Sequence, residues 1–375
     1  MKVDVITRHS VPNYGSLLQA YATQSVIEEL GCKAEIINYT RYDERYKNLV
    51  KSLLKGKIWD NNFVMRTIYK IIQTPNYARM YTKFEKYRKD FLKESKLEYG
   101  SLKELKENIP HADVYCSGSD QIWGKIGTVE YDESYFLKFV KDKTKKCIAY
   151  SSSFGKEKLD ENLEKNLSKL LDNYSEILVR EDTAKYILKK HGFNNVEQVL
   201  DPTLLLTKKQ WEILANRVEN KYKKYVLVYQ LHDNKNFNKY AKEFSKKTGL
   251  KLLRISPSIY HITRSGKLIY LPNQYEFLSL FKNAEYILTD SFHATVFSII
   301  FNRKFIDVLP EKTSTRIVSL LKLVGLQERI LNDYNDFSFV NKEINFVDCN
   351  KILEQERKRS INLFKNAIFL GKESR

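Results

Sequence analysis

Short apolar runs alternate with stretches of helical period along most of this chain. Val3, Val5 and Ile6 open it as a strand. After a polar loop, Leu17, Leu18, Tyr21, Ala22 and Leu30 follow a helical period, Gly31 sits where a helix stops, and Ala34, Ile36 and Ile37 make a second strand. This is a β-α-β unit, so a parallel sheet is expected. Further buried strands are predicted at Asp113 to Cys116, Ile148 to Ser151, Ile177 to Val179 and Val196 to Leu200, with a helix over 157–172. Asp201-Pro202 ends that series and places a domain junction near 201–222.

The alternation then starts again. Tyr225 to Tyr229 reads as a strand, 234–247 as a helix closed by Gly249, and Leu250 to Ile255 as the next strand. A loop is expected over 256–272, carrying His261 and Arg264, then a helix over 274–282. Tyr286, Ile287 and Leu288 form a strand, Ala294 to Phe301 a helix apolar on all sides, and Phe305, Ile306 and Val308 a strand. Helices over 315–324 and 351–369 complete the chain. Residues 40–110 break the pattern. They are rich in Tyr, Lys and Arg, with amphipathic helices predicted at 63–73 and 77–93, and read as a helical insertion in the first domain. Such basic helices suit a solvated helix pair, or a membrane surface or acidic glycan. The expected domains are 1–205, 206–350, and a terminal helix, 351–375, packing back across both.

Composition narrows the classes. With 375 residues and 42% hydrophobic content, the chain can build two cores. The formal net charge of +18 favours anionic partners, or reflects a solvated Lys-rich surface. Cys32, Cys116, Cys147 and Cys349 are far apart with no C-x-x-C, so no metal site is expected and a reducing cytoplasm fits. No apolar run approaches the length of a membrane span. The N-terminus reads as strand and loop, so a cytoplasmic protein is expected, with peripheral contact at the inner face of a membrane as an extension of that reading. No nucleic-acid fold signature is present, so nucleic acid is not an expected partner.

Polar clusters follow the predicted strands. His293 stands where a strand turns into the Ala294–Phe301 helix, behind Asp290 and Ser291, both good N-cap residues. The free N–H groups and dipole of such a helix start favour an anion. A histidine there can hold a phosphate, carry a proton, or only cap and pack. Lys312 and Arg316 flank the next helix and would complete an anion pocket with it. Arg180, at a strand end, suits a carboxylate or phosphate, or a salt bridge to an acidic neighbour. Asp120 follows the strand at 113–116 as a candidate base, acceptor-positioning group or cap. Trp123 can stack on a sugar or fill core, and Asn13 can contact ligand or make the strand–helix turn. The loop at 13–15 is not GxGxxG, so no dinucleotide is indicated.

Six segments in order, NYGSLLQAYA (13–22), GSDQIW (118–123), SSFG (152–155), VRED (179–182), DPTLLL (201–206) and DSFHATVFSIIFNRKFI (290–306), resemble the polysaccharide pyruvyl transferase family. Ala294 departs from it, standing where the family usually carries Gly. The resemblance implies an α/β protein of two Rossmann-like domains facing a cleft, GT-B-like, which the two strand–helix series also suggest. It implies transfer of pyruvate from phosphoenolpyruvate to a sugar of a cell-surface glycan or its lipid-linked precursor as a ketal, with no cofactor beyond that co-substrate. On this expectation Arg180 and His293 hold the donor, His293 also gives a proton, Ser291, Lys312 and Arg316 complete the pocket, Asp120 serves the acceptor side, and Trp123 and Asn13 contact substrate. The competing expectations are a GT-B glycosyltransferase using a nucleotide sugar and a basic binding module for nucleic acid or membrane.

Overall fold

A computed structural model of the chain describes residues 1–46, 48, 62–126, 129–310 and 314–370. The chain divides into two compact units, Met1–Leu205 with Lys358–Arg375, and Leu206–Arg357.

The first unit runs β1 (Lys2–Ile6), α1 (Tyr14–Glu29), β2 (Lys33–Ile36), α2 (Phe63–Phe91), α3 (Leu102–Glu107), β3 (Val114–Ser117), β4 (Lys146–Ser152), α4 (Glu161–Leu171), β5 (Tyr174–Val179), α5 (Asp182–Lys190), β6 (Val196–Gln198) and α6 (Pro202–Leu205). The strands form one sheet in the order β2-β1-β3-β4-β5-β6, all parallel. Helices cover both faces of such a sheet, which is why β3 is buried at every position and reads as an unbroken run, not an alternation. The two helices predicted at 63–73 and 77–93 are one helix, α2, which runs through Pro75. Proline removes one backbone N–H and crowds the preceding turn, at a cost of about 3 kcal/mol. Burial of Met80, Phe84, Tyr87 and Phe91 offsets this. Phe84 packs on Tyr14 and Phe91 on Tyr21, with ring centroids 4.9 and 4.8 Å apart.

The second unit carries α7 (Lys208–Ala215), β7 (Tyr225–Tyr229), α8 (Lys235–Thr248), β8 (Lys251–Ser256), β9 (Lys267–Tyr270), α9 (Gln274–Asn283), β10 (Tyr286–Thr289), α10 (Phe292–Ile300), β11 (Lys304–Asp307), α11 (Thr315–Leu323) and the first half of α12 (Phe346–Phe369). Its sheet, also all parallel, has the order β11-β10-β7-β8-β9. Strand β9 falls inside the stretch expected to be loop. It is a half-buried edge strand of four residues, too short to show a period. Helix α12 begins five residues earlier than predicted, and from Lys358 onward it belongs to the first unit. There Ser360 Oγ accepts from Leu200 N at 3.0 Å, and Phe364 stacks on Tyr150 with centroids 4.0 Å apart.

Each sheet reverses its strand order once. In the first unit the reversal lies between β1 and β3, and in the second between β7 and β10. At such a point the connections leave in opposite directions and open a crevice at the carboxyl ends of the strands, where ligands of open α/β sheets bind. Among the described residues no helix is long and apolar enough to cross a membrane, and no group of three or more metal-ligand side chains occurs. All four cysteines are buried and outside disulfides.

Candidate functional site

In the first unit, the loops after β1, β3, β4 and β5 meet at the reversal. Asn13 is the N-cap of α1, its Oδ1 accepting from Gly15 N (2.8 Å) and Ser16 N (3.2 Å). That oxygen is therefore committed to the helix start and not to a ligand. Ser16 Oγ, one turn on, donates to Asp120 Oδ2 at 2.8 Å. Asp120 has φ +83, a left-handed conformation that costs a non-glycine residue and is often stored at functional sites. Its Oδ1 accepts from Gln121 N at 2.8 Å, so it closes its own turn; among the described residues no helix starts directly after it for it to cap.

Arg180 is buried among carboxylates. Its Nη1 donates to Asp201 Oδ2 at 3.1 Å, its Nη2 lies 4.0 Å from Asp120 Oδ1, and its Nε lies 3.7 Å from Glu181 Oε2. Asp201 also accepts from Ser119 Oγ (2.9 Å) and Thr203 Oγ1 (2.6 Å), and Glu181 from Ser153 Oγ (2.6 Å). One guanidinium among three carboxylates leaves a formal charge of −2. This corrects the expectation of an anion-binding Arg180: its charge is already balanced, and a buried pair of this kind is costly to break. Asp201 and Glu181 sat in matched segments, and their place directly after a strand was the signal for them.

Trp123 is also corrected. It is fully buried, stacked on Phe136 at 5.5 Å and packed against Phe154 and Tyr174, with Nε1 donating to Tyr135 O at 3.3 Å. It fills the core and offers no face to a sugar. The glycines around it serve the same close packing. A Cβ on Gly124 would lie 2.4 Å from Phe154 O, and Gly155 has φ +68.

In the second unit, the reversal brings the end of β10 against the end of β7. Asp290 accepts from Leu231 N (2.7 Å), His232 N (2.9 Å) and His232 Nδ1 (3.1 Å). The Asp290 carboxylate raises the pKa of His232 above its ordinary value, burial and the nearby Arg316 opposing it. Helix α10 starts two residues earlier than predicted, which puts His293 within its first turn. Ser291 is the N-cap by backbone conformation, yet its side chain makes no capping hydrogen bond. The helix start thus keeps the anion-binding character described for such termini. His293 is buried, its ring edge-on to Phe292 with centroids 5.2 Å apart, and the Arg316 guanidinium lies over the Phe292 ring at 5.5 Å. Ser291, His293 and Arg316 therefore come together, joined by His232 and Asp290, which the sequence reading did not assign to the site. Lys312 lies outside the described residues.

Behind this start, Thr295 Oγ1 donates to Asp307 Oδ1 at 2.7 Å. Asp307 ends β11 and is fully buried. Burial pushes its pKa up to about 8, with the Thr295 hydrogen bond opposing the shift and Asp290 adding to it.

Sequence comparison with curated proteins gave no match. Among solved structures, UDP-GlcNAc 2-epimerase from Methanocaldococcus jannaschii, in complex with UDP-GlcNAc and UDP, is similar over 95% of this chain and 94% of its own, with 19% identity and a TM-score of 0.50. MnaA of S. aureus, in a co-structure with UDP, is similar over 90% of this chain and 86% of its own, with 12% identity and a TM-score of 0.51. At these identities the likeness concerns the fold, a GT-B-like pair of Rossmann-like units. The profile of a family described as polysaccharide pyruvyl transferase matches residues 13–311. That span includes both sheet reversals and, apart from Arg316, the residues gathered at them, and the chain belongs to the polysaccharide pyruvyl transferase family.

Proposed function

We propose that the protein transfers the three carbons of phosphoenolpyruvate to a sugar of a glycan, free or lipid-linked, as a cyclic ketal, working at the inner face of the membrane. The observation that carries this reading is the start of α10: a helix N-terminus without a side-chain cap and His293 in its first turn, both inside the span matched by the family, with Arg316 of the following helix beside them. The donor carries a carboxylate and a phosphate, and N–H groups, an imidazole and a guanidinium suit both.

In the reaction, C3 of the enol takes a proton, C2 becomes electrophilic, and one sugar hydroxyl adds there. Phosphate leaves with the C2–O bond electrons, and the second hydroxyl closes the ring. One hydroxyl proton balances the proton gained at C3 and the other leaves with phosphate. His293 is assigned to the donor and to proton delivery. Asp120 is assigned to the acceptor hydroxyl as base. Arg180, Asp201 and Glu181 are positioning residues that fix the Asp120 carboxylate. Ser291 is assigned to the donor pocket.

Phosphate release from phosphoenolpyruvate with candidate acceptor sugars tests this. His293→Ala should lower kcat by roughly 10²–10³-fold, the loss typical of one donor to a developing charge, while circular dichroism stays unchanged. Turnover retained in that variant would remove His293 from the chemistry. A second reading, a nucleotide-sugar glycosyltransferase, draws on the two similar structures that hold UDP or UDP-GlcNAc. Turnover with nucleotide sugars and none with phosphoenolpyruvate would select it.

A further inference from the structure

At the end of β8, beside the crevice of the second unit, two arginines share one acceptor. Arg254 is only 1% exposed. Its Nη1 donates to Gln230 Oε1 at 2.9 Å, and Arg264 Nη1 reaches the same oxygen at 3.4 Å. Gln230 is held in place from its other side, its Nε2 donating to His232 O (2.8 Å) and Asn234 O (3.4 Å). Its carbonyl is thereby fixed toward both guanidinium groups. Arg264 Nη2 is paired with Asp233 Oδ1 at 2.8 Å, and that carboxylate is largely exposed. His261 Nδ1 lies 2.7 Å from Ser256 Oγ.

The remaining edge of Arg254 is unmatched. Its Nε and Nη2 have no hydrogen-bond partner among the described residues. These two nitrogens form one side of the planar guanidinium fork, the side that grips two oxygens of a carboxylate or phosphate at once. Burial, and after it the like charge of Arg264, draw the Arg254 pKa down to about 10. Burial and these two arginines hold His261 down to about 4, so its ring is neutral at pH 7. A purely structural role is a poor account of this arrangement. Strand β8 pairs Arg254 with Val228 on one side and Leu268 on the other, and an apolar side chain would satisfy that row without burying an uncompensated charge.

We propose that Arg254 and Arg264 form a phosphate site, with the Nε/Nη2 edge of Arg254 taking two phosphate oxygens, Arg264 a third, and Gln230 aligning the two guanidinium groups. Strand β7 alone lies between β8 and β10, so two strand spacings, about 10 Å, separate this pair from the strand that feeds α10. The phosphate is that of the donor, or that of a diphosphate joining the acceptor sugar to its carrier. Which of the two it is rests on the reading above; that the pair binds phosphate does not.

The test uses the whole chain and inorganic phosphate. Calorimetry gives the dissociation constant, and hydrogen exchange of the peptide spanning 258–266 reports binding locally. Phosphate should slow exchange in that peptide in the parent protein. In Arg254→Met, phosphate should bind at least tenfold more weakly there and leave that exchange unchanged, and the phosphate-free melting temperature should match or exceed the parent's. Arg264→Ala, a change at a more exposed position, should weaken phosphate severalfold and guards against misfolding of the first variant. In Arg264→Ala a raised KM for phosphoenolpyruvate identifies the donor phosphate, and a raised KM for a diphosphate-linked acceptor alone identifies the carrier. Exchange in the parent that ignores phosphate, or Arg254→Met binding phosphate as tightly as the parent, overturns the proposal. Phosphate binding still decides the matter if phosphoenolpyruvate is not turned over.

Discussion

Asp307→Asn should remove most of one pH dependence from the stability of the second unit. Asp307 is fully buried, and its pKa rises from an ordinary 3.8 to about 8. Between those values the unfolded chain has lost the proton and the folded one holds it, so folding takes up one proton. Stability therefore falls as pH rises, by about 1.4 kcal/mol per unit from this group. From pH 5 to pH 7 the loss is about 3 kcal/mol, a large part of a typical folding free energy of roughly 5–15 kcal/mol. Above pH 8 both states are ionised and the dependence levels off. Asparagine keeps an oxygen for Thr295 but cannot ionise. Its amide nitrogen falls where Asp307 Oδ2 has no hydrogen-bond partner among the described residues, a pH-independent cost of about 1–3 kcal/mol. The variant should thus be the less stable protein at low pH and gain on the parent by about 1.4 kcal/mol per unit up to pH 8. Urea unfolding at pH 5, 6, 7, 8 and 9 measures this. Replacing Trp59 and Trp123 by phenylalanine in both proteins leaves Trp211, which packs on Phe297 of α10 at 5.1 Å, to report the second unit. A difference between parent and variant that stays constant over this range would refute the reasoning.

Three further outcomes are expected. Trp123→Ala should cost the first unit about 3–5 kcal/mol in urea unfolding, and Trp123→Phe should leave the acceptor KM unchanged, since the indole is core and not a sugar platform. Gly124→Ala should lower the melting temperature, because its Cβ would meet the Phe154 carbonyl oxygen at 2.4 Å, an overlap that core backbones relieve at roughly 1–3 kcal/mol; an unchanged melting temperature would show that the loop yields freely. For His232, whose folded pKa is raised by Asp290, the stabilising pair is fully present below the ordinary pKa of 6.5 and is lost as pH rises through the folded value. Parent and His232→Ala should therefore differ more in chemical denaturation at pH 5.5 than at pH 8, and an equal difference at both would count against the pair.

The strands and most helices were legible because buried parallel strands must be apolar at nearly every position, and Tyr225–Tyr229 or Tyr286–Thr289 carry that signature in a few consecutive residues. The same local logic marked the start of α10, since a strand followed by Asp290, Ser291 and His293 needs only backbone geometry to become an anion-binding turn. Strand β9 was hidden because its edge position demands little burial. The break expected at Pro75 was absent because aromatic packing outweighs a local proline penalty. By itself, then, the sequence determined which segments could be strands and where chemistry would cluster, for both follow from neighbours along the chain. Partnership is another matter. That Arg180 meets Asp201, that Trp123 lies under Phe136, that Asp290 takes up the loop holding His232, and that Arg254 faces Arg264 across Gln230 are decided by strand order. Charge balance and burial depend on residues 10 to 60 positions away, and only the folded sheets bring those together.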